Sequence, residues 1–233
     1  MAPTAVIAGV GPGLGESLAR AFAADGYDVG LFARSGDYLA DLADDLREAG
    51  HGALGVPTDL TDPDHVARGF DRVREELGPV DVLVNHAGGG GWRGLRNLPA
   101  DEFADAWRTC ALSGFLCSKQ ALDDVLDRGG TIIFTGATSA VRGRADALGF
   151  ASAKFAVRGM AESMARELGP EGVHVAHVVI DGQILPPDGP APDRDTESYL
   201  DPDAVADSYL HLVHQDESAW TLELDLRPNV ESF

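Results

Sequence analysis

Short apolar runs alternate with amphipathic helical segments along most of this chain, and this alternation restricts the fold more than any other feature. The runs are continuously hydrophobic, as in strands buried on both faces, whereas a half-exposed strand is apolar only at every second position. Helices that alternate with such strands cover both faces of a parallel sheet. The sequence therefore predicts one α/β domain over residues 1–233, a doubly wound, seven-stranded parallel sheet with helices on both faces.

The boundaries of the elements follow from this pattern and from the turn residues between the runs. Strands are predicted at 5–8, 28–33, 52–57, 80–85, 131–135, 173–180 and 220–226, and helices at 14–25, 37–49, 63–77, 101–127, 150–168 and 202–214. One segment, 185–198, is rich in Pro, Asp and Gly and is too long for an ordinary connection. It is interpreted either as a lid over the substrate or as an acidic surface loop.

The acidic balance of the chain limits the partners that it can bind. The sequence has 38 Asp and Glu against 18 Lys and Arg, a formal net charge of −20. Such a surface repels nucleic-acid phosphates and anionic lipid headgroups, so neither nucleic acid nor a membrane is an expected partner. Only two of the basic residues are lysines, Lys119 and Lys154. A high-salt, halophilic cytoplasm and an arginine-biased, GC-rich genome would each account for this composition.

The remaining composition predicts a reduced, cytoplasmic protein. Cys110 and Cys117 are seven residues apart on a predicted helix, about 10 Å along its axis, which is too far for a disulfide. The chain enters its first strand almost at once, so no signal peptide is expected, and no apolar run is long enough to span a bilayer. The seven histidines form no ligand-spaced cluster with Cys or Asp, so no metal site is predicted.

A glycine cluster lies between the first predicted strand and the first predicted helix. Glycine lets the backbone approach a pyrophosphate closely, and the amino end of the following helix presents free N–H groups and a partial positive charge. The cluster therefore indicates a dinucleotide site in a Rossmann-type domain. Its residues are Gly9, Gly11, Gly13, Leu14 and Gly15.

Three further motifs at matching spacing make the chain resemble the short-chain dehydrogenase/reductase (SDR) family over about residues 5–182. Gly9-x-x-x-Gly13-x-Gly15 is similar to its TGxxxGxG, and Asn85-His86-Ala87-Gly88 is similar to its NNAG. Asp59-Leu60 resembles the pair whose aspartate contacts the adenine ring. The resemblance implies cofactor contacts from Asp59, Leu60, Asn85, Ala87, Gly88, Lys154, Gly182 and Ile184.

The end of the second strand indicates which dinucleotide is preferred. An aspartate there would bond the ribose hydroxyls of NAD and repel a 2′-phosphate. This chain has Arg34 and Ser35 instead, and a guanidinium pairs well with phosphate. We therefore expect NADP(H) in preference to NAD(H), unless Arg34 is merely a solvated surface residue.

The catalytic residues depart from the pattern that the resemblance implies. In the family a tyrosine exchanges the alcohol proton, a lysine lowers its pKa and holds the nicotinamide ribose, a serine orients the carbonyl, and an asparagine completes a water relay. Here Lys154 keeps the lysine, but Phe150 stands in place of the tyrosine. Ala137 stands in place of the serine, and Cys110 in place of the asparagine. Thr138 and Ser139, which follow Ala137, are expected to hydrogen-bond the substrate oxygen instead.

Two other groups are candidates to supply the missing proton. Burial in the loop before Phe150 would raise the pKa of Asp146 enough to make it an acid. His86 has the ordinary histidine pKa in the useful range. For both, an ordinary structural role is the competing interpretation, and for Cys110 a small core residue is favoured over a nucleophile.

Three functions remain open from the sequence. The first is an NAD(P)-dependent oxidoreductase of the SDR type, with a degenerate catalytic tetrad and an unknown carbonyl or alcohol substrate. The second is a catalytically impaired NADP(H)-binding sensor or partner protein, and the third is a non-redox lyase or isomerase. The family resemblance also implies a homodimer or homotetramer, consistent with surplus apolar residues that core packing would equally explain, namely Phe103, Trp107, Leu112, Phe115, Leu116, Phe155 and Met160.

Overall fold

One sheet of seven parallel strands runs through the middle of the molecule, which a computed structural model describes over residues 2–231. Its strand order is β3-β2-β1-β4-β5-β6-β9, and every neighbouring pair is parallel. The strands are β1 (Thr4–Ala8), β2 (Asp28–Ala33), β3 (Ala53–Pro57), β4 (Val80–Asn85), β5 (Thr131–Thr135), β6 (His174–Ile180) and β9 (Glu223–Leu226). The predicted fold class is confirmed.

Helices cover both faces of this sheet, as the alternating pattern predicts. They are α1 (Leu14–Ala24), α2 (Gly36–Glu48), α3 (Pro63–Glu76), α4 (Ala100–Trp107), α5 (Ser113–Arg128), α6 (Leu148–Leu168) and α7 (Pro202–Val213). The helices α1, α2 and α7 pack on one face through side chains such as Phe22, and α3, α5 and α6 pack on the other through side chains such as Phe70. Burying each such side chain stabilises the fold by about 1.5–3 kcal/mol.

The strand order places a crevice at the carboxyl edge of the sheet. The neighbours of β1 are β2 and β4, so Ala8 pairs with Phe32 on one side and with Asn85 on the other. The connections after β1 and β4 therefore leave the sheet toward opposite faces, and a gap opens between them. In open α/β sheets ligands bind at this reversal of strand order.

The long helix predicted at 101–127 is interrupted. A single π-helical turn, Arg108–Leu112, separates α4 from α5, and the backbone N–H of Ser113 bonds the carbonyl of Arg108. The Ser113 hydroxyl also donates to the Thr109 carbonyl, which competes with the regular helical ladder. Cys110 lies within this turn, so the interruption changes the direction of the side chains that face the crevice.

The segments near the carboxyl end also differ from the prediction. The strand predicted at 220–226 begins at Glu223, because Trp220 leaves the sheet line to stack on His174 at 5.0 Å. The irregular segment 185–198 is bracketed by two short strands that pair in parallel, β7 (Gln183–Ile184) and β8 (Tyr199–Leu200). Within residues 2–231 no helix is long and apolar enough to cross a bilayer.

Candidate active site

Two clefts of about 540 Å³ each open along the carboxyl edge of the sheet and meet at Gly88, which lines both. The first, here called the glycine-loop cleft, is lined by Gly9, Val10, Ala33, Arg34, Ser35, Asp59, Leu60, Thr61, Ala87, Gly88, Asp105, Arg108 and Thr109. The second, here called the Phe150 cleft, is lined by His86, Gly88, Gly89, Trp92, Thr135, Gly136, Ala137, Thr138, Ser139, Arg144, Phe150, Lys154, Ile180, Gly182, Gln183, Ile184, Arg194, Ser198 and Glu231.

The turn after β1 requires glycine for steric reasons. Gly9 has φ +109°, and a Cβ atom there would lie 2.5 Å from the backbone nitrogen of Ala87. The backbone nitrogens of Gly9 and Val10 both donate to the Phe32 carbonyl, which fixes the turn against β2. Gly13, with φ +92°, precedes α1, and no side chain caps that helix. The amino end of α1 is therefore presented by a backbone turn that carries almost no side-chain bulk.

The other members of the predicted glycine cluster do not line the glycine-loop cleft. They are Gly11, Gly13, Leu14 and Gly15. Leu14 is buried in the core, and a Cβ at Gly15 would lie 3.1 Å from the Cα of Val10. Gly15 thus permits α1 to pack closely on the turn.

Charged groups from β2 and β3 face the glycine-loop cleft as predicted. Asp59 accepts hydrogen bonds from the backbone nitrogen and the hydroxyl of Thr61, at 2.9 and 2.8 Å, and these bonds lower the pKa of its carboxyl. Arg34 and Ser35 also line the cleft, and Arg34 forms no ion pair with any residue in the described part of the chain. An unpaired guanidinium beside a hydroxyl therefore lies at the end of β2.

Asn85 lies beneath the clefts and is not among the residues that line them. Its amide nitrogen donates to the hydroxyl of Ser118 at 3.0 Å, and its side chain is buried. The residues that follow it reach the surface of the clefts, because Ala87 and Gly88 line the glycine-loop cleft. Gly182 and Ile184, from the far side of the sheet edge, line the Phe150 cleft.

Lys154 is the buried cation of the Phe150 cleft. Its side chain extends from α6, and its Nζ donates to the Thr135 carbonyl at 2.7 Å. Nζ also lies 5.7 Å from the centroid of the Phe150 ring, whose other neighbour is Trp92, 6.2 Å away between ring centroids. Desolvation by burial lowers the pKa of Lys154 below its ordinary value.

The two hydroxyls that were expected to contact the substrate have different partners. Thr138 donates to the Oδ1 atom of Asp181 at 2.6 Å, and guanidinium groups of Arg142 and Arg227 lie 3.4 Å from Oδ2 of the same carboxylate. Asp181 is itself buried, so this cluster ties the end of β5 to the end of β6. The hydroxyl proton of Thr138 is therefore bonded to Asp181, although Thr138 lines the Phe150 cleft as Ser139 does. The expectation that these two residues contact the substrate stays a prediction.

His86 is neutral, which corrects the expectation that it has the ordinary histidine pKa. Burial, and then the charge of Lys154, lower the pKa of His86 to about 4. Its Nδ1 lies 3.2 Å from the hydroxyl of Thr135, which is 2.8 Å from the phenol oxygen of Tyr209. Either oxygen can be the donor in the Thr135–Tyr209 bond. When Tyr209 donates, the Thr135 hydroxyl is free to donate to Nδ1, and the proton of neutral His86 is then on Nε2.

Asp146 does not meet the condition on which its candidacy as an acid rested. Its side chain is exposed, it is not among the residues that line the Phe150 cleft, and its backbone has φ +58° in a turn beside Gly94. No burial is available there to favour its neutral form. Cys110 fits the core interpretation, since it is buried and its thiol donates to the Gly89 carbonyl at 3.4 Å.

Several cleft residues were missed from the sequence. Asp105 and Arg108, paired at 2.7 Å, line the glycine-loop cleft because the π-helical turn redirects this part of the helix. Arg144 and Arg194 line the Phe150 cleft from segments fifty residues apart. In a chain with few basic residues, an arginine within each of two loops near the site was a usable signal. No cluster of three or more His, Cys, Asp or Glu suited to a metal occurs within residues 2–231.

Comparison with known proteins decides the family. The family model described as short chain dehydrogenase matches residues 3–183 of the chain. The chain belongs to the short-chain dehydrogenase family. The resemblance read from its glycine, Asp59 and Asn85 motifs is thereby confirmed, and the matched region contains both clefts up to Gly182.

Individual relatives are similar to this chain over most of its length. The 7alpha-hydroxysteroid dehydrogenase of Escherichia coli is 29% identical over 182 residues, which cover 78% of this chain and 71% of that protein. An uncharacterized oxidoreductase of Bacillus subtilis is 30% identical over 173 residues, and the match spans 63% of its length. The structure of an alcohol dehydrogenase from Thermococcus sibiricus, complexed with 5-hydroxy-NADP, superposes with a TM-score of 0.89 at 30% identity, covering 99% of this chain and 98% of that one.

Proposed function

We propose that the protein is an NADP(H)-dependent oxidoreductase that interconverts a carbonyl and an alcohol, with Lys154 in place of a tyrosine as the proton donor. One observation carries this proposal. The buried ammonium of Lys154 lines a cleft that joins the glycine-loop cleft at Gly88, where a Cβ would lie 3.2 Å from Nζ.

The glycine-loop cleft fits a dinucleotide. Its turn has no room for a Cβ at Gly9, and the amino end of α1 carries no side-chain cap that would compete for a phosphate. Gly11, Gly13, Leu14 and Gly15 shape this turn, and Asp59, Leu60, Ala87 and Gly88 line the space beyond it. Bound there, the dinucleotide would supply a hydride to the carbonyl carbon or accept one from the alcohol.

Selectivity for NADP(H) is assigned to Arg34 and Ser35. A 2′-phosphate would pair with the guanidinium of Arg34, which would offset part of its negative charge, and would accept a hydrogen bond from the hydroxyl of Ser35. The carboxylates that line this cleft already have other partners, so they compete little with a 2′-phosphate for Arg34. Asp105 pairs with Arg108, and one oxygen of Asp59 is bonded to Thr61. The similar alcohol dehydrogenase from Thermococcus sibiricus is complexed with an NADP derivative, which supports the same choice.

Lys154 is proposed as the donor of the proton to the substrate oxygen. Phe150 carries no exchangeable hydrogen, and His86 is neutral and is too weak an acid in that form. An ammonium whose pKa is lowered by burial is a stronger acid than an ordinary lysine, and one of its three hydrogens is held by Thr135. In the reductive direction Lys154 would transfer a proton to the developing alkoxide and then recover one from solvent.

Ser139 and His86 are assigned to hold the substrate oxygen. Ser139 and His86 both line the Phe150 cleft, as Lys154 does. Donors aimed at an oxygen that gains negative charge stabilise the transition state more than the ground state. When Tyr209 donates to Thr135, the chain Tyr209–Thr135–His86 keeps Nε2 in the donating form.

The segment 185–198 is proposed as the lid of this cleft. Arg194 and Ser198 from it, together with the adjoining Ile184, line the Phe150 cleft. The short β7–β8 pair anchors both ends of the segment to the body of the protein. Such an arrangement would let the intervening residues close over a substrate while the ends stay fixed.

A homodimer or homotetramer is proposed from large apolar side chains on α4, α5 and α6. Phe103, Trp107, Phe115 and Phe155 are each about 40% exposed, at 38%, 42%, 43% and 43% respectively. A second copy of the chain is the partner that would cover them, since most oligomers are formed from identical subunits. Sedimentation of the protein, compared with a Phe115→Glu variant, tests this assignment.

The experiment that tests the function pairs binding with turnover. NADPH affinity is measured by isothermal titration, and its oxidation is followed near 340 nm against a panel of carbonyl compounds. Lys154→Arg keeps the cation but does not release a proton, so we expect NADPH binding to persist while turnover falls by roughly 10²-fold or more. Lys119→Met, at the other lysine, is the matched control and should change neither quantity.

Two results would contradict the proposal. Tight NADPH binding with no turnover of any carbonyl compound would rule out the oxidoreductase function. The protein would then be better described as an NADP(H)-binding sensor or partner protein. Turnover that survives Lys154→Arg would remove lysine as the proton donor. A rise in turnover in Phe150→Tyr, by contrast, is expected, because a phenol beside Lys154 supplies a better proton donor than the ammonium alone.

A further inference from the structure

We infer that Arg144 and Arg194 bind a carboxylate group of the substrate in the Phe150 cleft. This inference rests on the proposed function, because it names the class of substrate that the same cleft would receive.

The two arginines are unusual in having no carboxylate partner. The chain has sixteen arginines and a surplus of acidic residues, and within the described residues eleven of them pair with a carboxylate within 4.0 Å. Three of the five that do not pair line the two clefts, namely Arg34, Arg144 and Arg194. On a surface this acidic, an unpaired arginine is the exception, and the exceptions gather where ligands would bind.

Local sequence makes the lack of a partner more informative. Arg194 is flanked by Asp193 and Asp195, yet its guanidinium donates to the Oε1 atom of Gln183 at 2.7 Å and lies 5.9 Å from the ring centroid of Tyr199. Neutral partners of this kind fix the position of a cation without cancelling its charge. Arg144 lies two residues from Asp146 and forms no ion pair with it or with any other described carboxylate.

The two guanidinium groups approach the cleft from different elements. Arg144 comes from the loop between β5 and α6, and Arg194 comes from the segment between β7 and β8. Two guanidinium groups in the lining of one cleft present several N–H donors, and a planar guanidinium matches the geometry of a carboxylate.

The other charged residues of the cleft favour a singly charged anion. Lys154 lies deeper, beside the proposed reacting carbon, and Glu231 is the carboxylate among the lining residues. Three cations against one carboxylate leave a positive cleft on a molecule whose net charge is −20. Because Glu231 would repel a doubly charged phosphate more strongly, we assign a carboxylate to this position.

Apolar side chains line the same cleft as the arginines and Lys154, namely Trp92, Phe150 and Ile184. The Phe150 ring lies 5.7 Å from Nζ of Lys154 and 6.2 Å from the ring of Trp92, which is 64% exposed. A substrate that fits the whole cleft has a carbonyl or hydroxyl carbon at one end, an apolar middle and a carboxylate at the other. Simple alcohols and fully apolar ketones would leave the two arginines without a ligand.

The test compares an acid with its neutral counterpart in a binding experiment that needs no turnover. Tryptophan fluorescence of the NADP⁺-saturated protein is titrated with 3-phenylpropionate and with 3-phenylpropanamide, and a Trp92→Phe variant identifies the reporting residue. We expect the carboxylate to bind at least about tenfold more tightly, since charge-assisted hydrogen bonds exceed neutral ones. The preference should fall with rising salt.

Variants assign the preference to the two arginines. Arg144→Gln and Arg194→Gln should each reduce it, the double variant should abolish it, and the Lys substitutions at both positions should retain part of it. Arg68→Gln, an unpaired arginine on α3 outside both clefts, is the matched control and should leave the preference and NADPH affinity unchanged.

Equal binding of acid and amide, no binding of the acid, or a preference that survives in the double variant would each overturn the inference. A loss of NADPH affinity in the Gln variants without a loss of acid preference would assign the arginines to the dinucleotide instead, and would also overturn it. Turnover of uncharged carbonyls without any preference for acids would leave the proposed function standing while removing this inference.

Discussion

The glycine-loop cleft and the Phe150 cleft meet at one residue, Gly88, but they differ in how closely they follow their family. The first retains the residues that the resemblance requires, from the strained turn at Gly9 to the hydrogen-bonded carboxylate of Asp59. At the catalytic end, the positions that the family resemblance assigns to proton transfer hold Phe150, Ala137 and Cys110, and Lys154 keeps the family residue.

The difference between the two clefts reflects the different structural requirements of dinucleotide binding and of proton transfer. Binding depends on backbone shape, which tolerates few substitutions, because a side chain at Gly9 would collide with the backbone of Ala87. A proton can come from any acid of suitable strength within reach of the oxygen. The structure supplies one such group, a buried ammonium whose pKa is lowered.

The largest expected effect is that of a substitution at Gly9, which would disrupt the glycine-loop cleft and leave the lining of the Phe150 cleft unchanged. In Gly9→Ala the new Cβ would lie 2.5 Å from the Ala87 nitrogen with φ near +109°, so we expect a loss of at least about 2 kcal/mol of unfolding free energy. NADPH binding should become undetectable by titration. Gly11→Ala, where no heavy atom lies within 4 Å of the new Cβ, is the stability control, and equal destabilisation of the two variants would refute the steric account.

A smaller effect is expected at Arg34, which should change the choice of dinucleotide without changing the fold. Arg34→Gln removes the unpaired guanidinium from the glycine-loop cleft. NADPH affinity should fall roughly tenfold or more while NADH affinity stays within about twofold, since one charge-assisted phosphate contact is lost. Titration of both dinucleotides into wild type and variant checks this result. An equal loss of affinity for NADPH and NADH would mean that Arg34 does not distinguish the two dinucleotides.

His86 provides a pH test of the Phe150 cleft. Its pKa is about 4 in the folded protein and near 6.5 when unfolded, so between these values the unfolded chain alone takes up the proton. The stability that this residue contributes is complete above about pH 6.5 and is lost as the pH falls toward 4, by at most about 3 kcal/mol. Urea unfolding of His86→Gln at about pH 7 and pH 4.5 should therefore show a smaller acid loss than wild type.

The matched control for that experiment is His211→Gln, on the exposed side of α7. It should lose as much stability on acidification as wild type does. An acid loss in His86→Gln that equals the wild-type loss would show that His86 is not held neutral by its surroundings.

The smallest expected effect is at Asp146. Its carboxylate is exposed and outside the lining of the Phe150 cleft, so Asp146→Asn should change kcat by less than about twofold at each pH. Steady-state rates across a pH series check this. A large drop in the kcat of the variant at only the acidic end or only the basic end of the pH series would restore Asp146 as a candidate proton donor.

The fold and the dinucleotide site were accessible from the sequence because they depend on local patterns. Continuous apolar runs identify buried strands, and the glycines after β1 follow from backbone geometry. The π-helical turn was not accessible, since it arises where the Ser113 hydroxyl bonds the Thr109 carbonyl and leaves the helical periodicity of the sequence unchanged.

The catalytic end was only partly accessible because it depends on contacts between distant segments. Thr138 and Ser139 are adjacent in sequence, and the carboxylate that separates their roles is Asp181, forty-three residues after Thr138. The neutral state of His86 follows from its burial and from Lys154, and the lining of one cleft by both Arg144 and Arg194 involves two segments that are fifty residues apart. None of these relations is periodic or local.

The central claim, that a cleft without the family tyrosine still supports hydride transfer, is tested most directly by an isotope. NADPH carrying deuterium at the transferred position of its nicotinamide is incubated with the protein and a carbonyl substrate, and the alcohol is examined by mass spectrometry. We predict one deuterium on the carbinol carbon with wild type and much less with Lys154→Arg. Alcohol without deuterium, or bound NADPH with no alcohol formed from any carbonyl, would contradict the account.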